Sequence, residues 1–185
     1  MVTKAQEAPG ELELVRSFVN TFDVESTVDD VATPAALGEW LSVRGFLGAG
    51  ERVTRAEHGR ALAVREALRA LLLANNGAEP DPGAAATLDE AARRARLRLR
   101  FLADGSARQE PGACGVDGAL GRLLAIVAEA MSDGTWPRLK ACRSDTCRWA
   151  FYDRARNHSR TWCAMAVCGN RTKARAYRRR RAVRH

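Results

Sequence analysis

Four cysteines near the carboxy-terminal end, Cys142, Cys147, Cys163 and Cys168, constrain this chain more than any other feature: four residues separate the members of each pair and fifteen separate the pairs. Each short loop can turn two thiolates onto one ion, so the spacing predicts a tetrahedral zinc site, with two disulfides as the competing reading. The opening MVTKAQEAPG is polar and lacks the apolar run of a secretory signal. The expected location is therefore the cytoplasm, a reducing compartment that favours zinc over disulfides. Four thiolates fill a zinc coordination sphere and leave no position for a catalytic water, so the expected cofactor is one structural Zn2+ per chain. His158 is an alternative ligand, but beside four cysteines it reads as a turn residue.

Between the cysteine pairs, Trp149, Phe151 and Tyr152 favour a strand, and Arg156, Asn157, His158 and Ser159 favour a turn ahead of Trp162, which predicts a hairpin. From Gly169 through Arg181 the chain has no proline and reads as a helix, with Asn170 as a cap or loop brace and Cys168 near its start. Knuckle, hairpin and helix in that order describe a treble-clef-like zinc finger over residues 138–185.

The rest of the chain reads as a mainly helical domain over residues 11–134, expected to form a separate unit. Val15, Phe18, Val19 and Phe22 mark one apolar stripe. Thr33 and Pro34 open a second helix whose buried face is Leu37, Trp40 and Leu41. Thr54 and Glu57 form a capping box ahead of Leu62, Leu68, Leu71 and Leu72, and Asn75, Asn76 and Gly77 stop that helix. Ala84 to Ala92 form a short helix. The alternation RLRLRFL from Arg96 to Leu102 predicts a strand with one buried face, returning through Asp104 and Gly105 as a small β-hairpin. After Asp117, the residues Leu120, Leu123, Leu124, Val127 and Met131 define a last apolar helical face. The fold class is thus mainly α with a small β-hairpin.

Charge is segregated along the chain. From Arg138 to His185 there are 15 Lys and Arg against Asp145 and Asp153, a charge of +13, whereas the first 137 residues carry −5. Clustering of this kind marks a polyanion-binding segment, because docked Lys and Arg release counterions from phosphates. The longest stretch without a charged residue is ten, Thr161 to Asn170. That is roughly half a bilayer span, so no membrane partner is expected. No phosphate-cradling glycine loop or HExxH occurs, His58 reads as a surface residue, and Cys114 is an odd thiol with nothing nearby to activate it. The chain is expected not to be an enzyme.

The run CGNR at Cys168 to Arg171, preceded by RLKAC at Arg138 to Cys142, WAFYDRARN at Trp149 to Asn157 and WC at Trp162 and Cys163, resembles the CGNR zinc-finger family of bacterial regulators. In that family the finger follows an amino-terminal domain called ABATE, and FVNTFD at Phe18 to Asp23, followed by the Thr33 to Phe46 segment, is similar to its start. The resemblance implies a stress-related transcriptional regulator whose finger binds double-stranded DNA.

In the expected final helix, Arg171, Arg175 and Arg178 share one face. The DNA-contact candidates are Arg171, Lys173, Arg175, Arg178, Arg179, Arg180 and Arg181, where Arg can read guanine by two hydrogen bonds. Arg171 has a second reading as a brace for the thiolate loop, and Asn170 is a structural brace. RNA is an alternative partner, with Trp149, Tyr152 or Trp162 stacking on bases. A protein-interaction platform is another. A homodimer would suit palindromic sites, although no heptad zipper is present.

Overall fold

Helix ends in this chain are written into its side chains. The computed structural model describes residues 7–48 and 50–174, so Arg175 and Arg178 to Arg181 lie outside the described residues. The Thr54–Glu57 capping box closes on both sides and starts α3, Arg55–Ala74; Thr33 accepts from the Ala36 amide to start α2, Pro34–Val43. Asp81 caps α4, Pro82–Ala95, three residues longer at its carboxy-terminal end than the Ala-rich pattern suggests. The first helix, α1, is Leu12–Val19, and the last helix of the body, α5, is Gly115–Ser132. Phe22 leaves the first stripe for a strand: β1, Phe22–Asp23, pairs with β2, Val28–Asp29.

Val15, Phe18, Val19, Leu37, Leu41, Leu68, Leu72, Leu120 and Leu123 are sealed from solvent in one apolar cluster. Helix α5 sits at its centre, and Gly121 allows α4 to lie against it. A Cβ at that position would stand 2.5 Å from Ala95 Cβ and 3.0 Å from Pro111 Cβ, closer than carbon atoms pack. Met131, expected in the buried face of α5, is half exposed, and Ile126 and Ala130 are buried on that helix instead. Asp117 is inside the helix and pairs with Arg60 on α3. His58 is not a bare surface residue, since its Nε2 lies 2.8 Å from the Val31 carbonyl and joins α3 to the chain after β2.

The predicted RLRLRFL hairpin forms as β3, Arg98–Phe101, and β4, Ala107–Glu110, in antiparallel register. Its apolar face is not buried: Leu99 is 60% exposed and Phe101 76%. Alternation fixed the strand but supplied no partner layer, because α5 turns its own apolar face toward α1, α3 and α4.

The apolar cluster continues past residue 134. Trp136, Leu139, Ala141, Ala150 and Tyr152 belong to the same core as α1, α3 and α5. Among the described residues no helix is long and apolar enough to cross a membrane.

Candidate metal centre

After a single turn of 3-10 helix at Trp136–Arg138, strand β5, Leu139–Ala141, pairs antiparallel with β6, Ala150–Tyr152. Cys142 follows β5 directly and Cys147 lies just before β6, so the hairpin tip is the first cysteine loop. It is closed by the Cys142 amide on the Trp149 carbonyl at 2.9 Å. The hairpin therefore lies one element earlier than the sequence pattern suggests. Residues 153–162 form no strand, because β5 occupies one edge of β6 and Asn20 occupies the other. The Asn20 side chain donates to the Ala150 carbonyl at 2.9 Å and accepts from its amide at 2.8 Å, as a neighbouring strand would.

The second cysteine pair is carried by a loop and a helix. Cys163 ends the loop, and Cys168 lies in a π-helical turn, Met165–Gly169, that runs on as α-helix over residues 170–174. Helical structure thus starts before Gly169. Asn170 is inside the helix, not at its cap: its amide donates back to the Ala166 carbonyl at 3.2 Å and braces the turn that holds Cys168.

All four thiols are buried and unbridged, and their Sγ atoms lie within 4.8 Å of one another. Cys147 to Cys163 is 3.6 Å and Cys163 to Cys168 is 3.7 Å. Zinc–sulfur bonds of about 2.3 Å in a tetrahedron separate the sulfurs by about 3.8 Å, so the cluster has the dimensions of one four-thiolate zinc site. Its electrostatics point the same way. Hydrogen bonds from Cys147 and Cys163 hold the Cys142 thiol far below its usual range, and the same bonds push Cys147 and Cys163 up; burial pushes Cys168 up. Four sulfurs this close resist ionising together unless a cation is shared among them. The site is therefore that of one structural zinc held by Cys142, Cys147, Cys163 and Cys168. His158 is in an exposed turn against Arg138 and is not among the ligands.

Much of the finger's positive charge serves its own architecture. Lys140, counted above with the basic tail, is buried with Asp153. Arg143 donates to the Asn76 carbonyl at 2.7 Å, reaching it across Gly77, whose φ of +84° and missing side chain leave room for the guanidinium. Arg160 donates to the Cys163 carbonyl at 2.6 Å and stacks over Phe151. Arg171 pairs with Glu25, in the loop between β1 and β2, at 2.7 Å. That bond and the Glu25 charge raise its pKa, with smaller contributions from Cys168 and Cys147. Lys173, Arg148 and Arg156 are exposed. Trp149 and Trp162 pack against the cysteines, while Tyr152 is buried in the body and has no face for a base.

Sequence reasoning missed the residues that seat the finger. Asn75 donates to the carbonyls of Trp136 and Leu139, both at 2.9 Å; Asn76 donates to those of Ala141 at 2.7 Å and Thr161 at 2.8 Å. Arg69 donates to the Arg148 carbonyl at 3.1 Å. With Asn20 on β6 and the two asparagines on β5, body side chains take up both edges of the two-stranded sheet. Replacing Asn76 by Ala strands two carbonyls, and a loss of about 2 kcal/mol is expected. Denaturant unfolding of the zinc-loaded variant measures it.

A helical domain joined to a treble-clef-like hairpin, knuckle and helix, with a closed four-cysteine centre, defines a zinc-finger protein. The CGNR zinc finger model matches residues 138–181, and the model described as "Putative stress-induced transcription regulator", ABATE, matches residues 12–134. The chain belongs to the ABATE family and carries a CGNR finger. No curated protein matches it.

Proposed function

We propose that the chain is a DNA-binding, stress-related transcription regulator without catalytic activity, in which the zinc organises the finger and the basic carboxy-terminal segment contacts duplex DNA. The observation that carries this reading is the concentration of +13 in residues 138–185 behind a body of −5. Several of those cations are used internally, yet Lys173 is exposed on the helix that follows Cys168, and the sequence beyond it adds Arg175, Arg178, Arg179, Arg180 and Arg181. The family description supports regulation as the purpose of such a surface. Four closed thiolates suit a structural metal, which supports the absence of catalysis.

Binding to duplex DNA, single-stranded RNA and heparin at two salt concentrations is the test. Preference for a DNA sequence supports regulation; preference for RNA, or equal binding to heparin, defeats it. Replacing Arg178 to Arg181 together by Ala is expected to lower the slope of log affinity against log salt by about 3 to 4, since each phosphate contact contributes about 0.9. Affinity should fall for every sequence alike. A quadruple variant that keeps zinc, affinity and slope would leave the tail a solvated surface.

A further inference from the structure

Helices α3, α4 and α5 line an open pocket of about 340 Å³ that shares no residue with the zinc centre. Its floor is apolar and itself buried: Val64 and Leu120 are each 2% exposed and Ala91 8%. Its walls are short, with Ala63 from α3 and Ala86 from α4 standing where larger side chains would close the gap.

Two ion pairs border its opening. Arg60 on α3 is drawn across to Asp117 on α5 by a two-pronged contact, both bonds 3.2 Å, and Arg94 is drawn along α4 to Glu90 at 2.8 Å. Each arginine that lines the pocket is thus already bonded to a carboxylate that lines it too. The mouth thereby carries two positive and two negative groups, already matched. A charged ligand would have to displace a bonded partner and lose its own hydration against an apolar floor. An uncharged apolar molecule meets neither cost. A volume of this size is at the small end of ligand pockets, room for two or three rings.

We propose that this pocket is a binding site for a small, uncharged, mostly apolar molecule. The site is independent of the nucleic-acid reading and stands or falls apart from it.

The neutral fluorophore N-phenyl-1-naphthylamine, titrated into the zinc-loaded full chain, tests the site. Saturable one-to-one binding is expected. Ala63→Phe and Ala86→Phe, both at exposed positions where a ring occludes the pocket without entering the core, should each weaken it at least about tenfold, the scale on which an apolar pocket senses a misplaced methylene. Ala85→Phe, on the same helix outside the pocket, should bind as the unaltered chain does, and so should Phe101→Ser, which removes the exposed apolar side chain of β3. Circular dichroism melts confirm that the two filled variants stay folded. The proposal is overturned if the unaltered chain shows no saturable binding, if both filled variants bind equally well, or if Phe101→Ser is the variant that abolishes binding. Tighter binding of the anionic 8-anilinonaphthalene-1-sulfonate in the same pocket overturns the uncharged class.

Discussion

Removing zinc is expected to destabilise the whole chain and not the finger alone. Four thiolates on one ion contribute on the order of 10 kcal/mol to the folding of a small finger. Here the strands that the knuckle closes, Leu139–Ala141 and Ala150–Tyr152, place Leu139, Ala141, Ala150 and Tyr152 inside the core shared with α1, α3 and α5. When the knuckle opens, those side chains lose their seat, and Asn20, Asn75 and Asn76 lose the backbone groups they bind. Chelation should therefore release one zinc per chain and lower the melting temperature of the helical signal, in one cooperative transition. Cys142→Ser with Cys168→Ser should reproduce the effect without chelator. A chain ending at Gly134 should melt lower than the full chain for the same reason. Full zinc content in the double variant, or a helical melt indifferent to chelator, would refute the shared core as a mechanical link.

What could be read from the sequence was what is local. The capping box at Thr54 and Glu57, the Pro34 start and the cysteine spacing each state their structure within a few residues, and each formed as expected. Asn75 and Asn76 were legible as a helix stop, but their amides act on carbonyls more than 60 positions away, and nothing in an Asn-Asn-Gly triplet announces them. Lys140 shows the converse. In a tally of charge it belongs to the basic tail, whereas in the fold it is 5% exposed and bonded to three oxygens. The finger hairpin was displaced by one element because strand propensity around Trp149 to Tyr152 does not name its partner. That choice is made by tertiary contacts: Asn20 occupies one edge of β6, and Leu139 and Ala141 on β5 bury into the body core. In β3 the alternation marks the strand, but the face it predicts as buried, Leu99 and Phe101, is exposed.

The Lys140–Asp153 pair should be the most sensitive single point outside the cysteines. Asp153 is fully buried; its Oδ2 accepts from Lys140 Nζ at 2.8 Å and from the Arg160 amide at 3.0 Å, and its Oδ1 accepts from the Ala155 amide at 2.9 Å. Lys140 also donates to the His158 carbonyl at 2.5 Å and the Arg160 carbonyl at 3.2 Å, so the pair ties the loop between β6 and Cys163 to strand β5. Replacing Asp153 by Asn leaves a buried ammonium without its counter-charge, and a loss of about 3 to 5 kcal/mol is expected. Replacing the pair with Met and Leu removes the stranded charge but leaves two amides and two carbonyls unmet, so the double variant should recover only part of that loss. The pH dependence distinguishes the charge from the packing. Burial alone pushes the Asp153 carboxyl up, and the Lys140 bond, the backbone amides and the Lys140 charge outweigh it, leaving its pKa below the ordinary value. A carboxyl depressed in the folded state stabilises fully above its unfolded pKa, about 3.9, and that contribution disappears as pH falls through the lower folded value. The stability gap between the unaltered chain and Asp153→Asn should accordingly be constant from about pH 5 to 7 and narrow below about pH 4. A gap that stays constant into that acid range would show that shape, and not the ion pair, holds the loop against the finger.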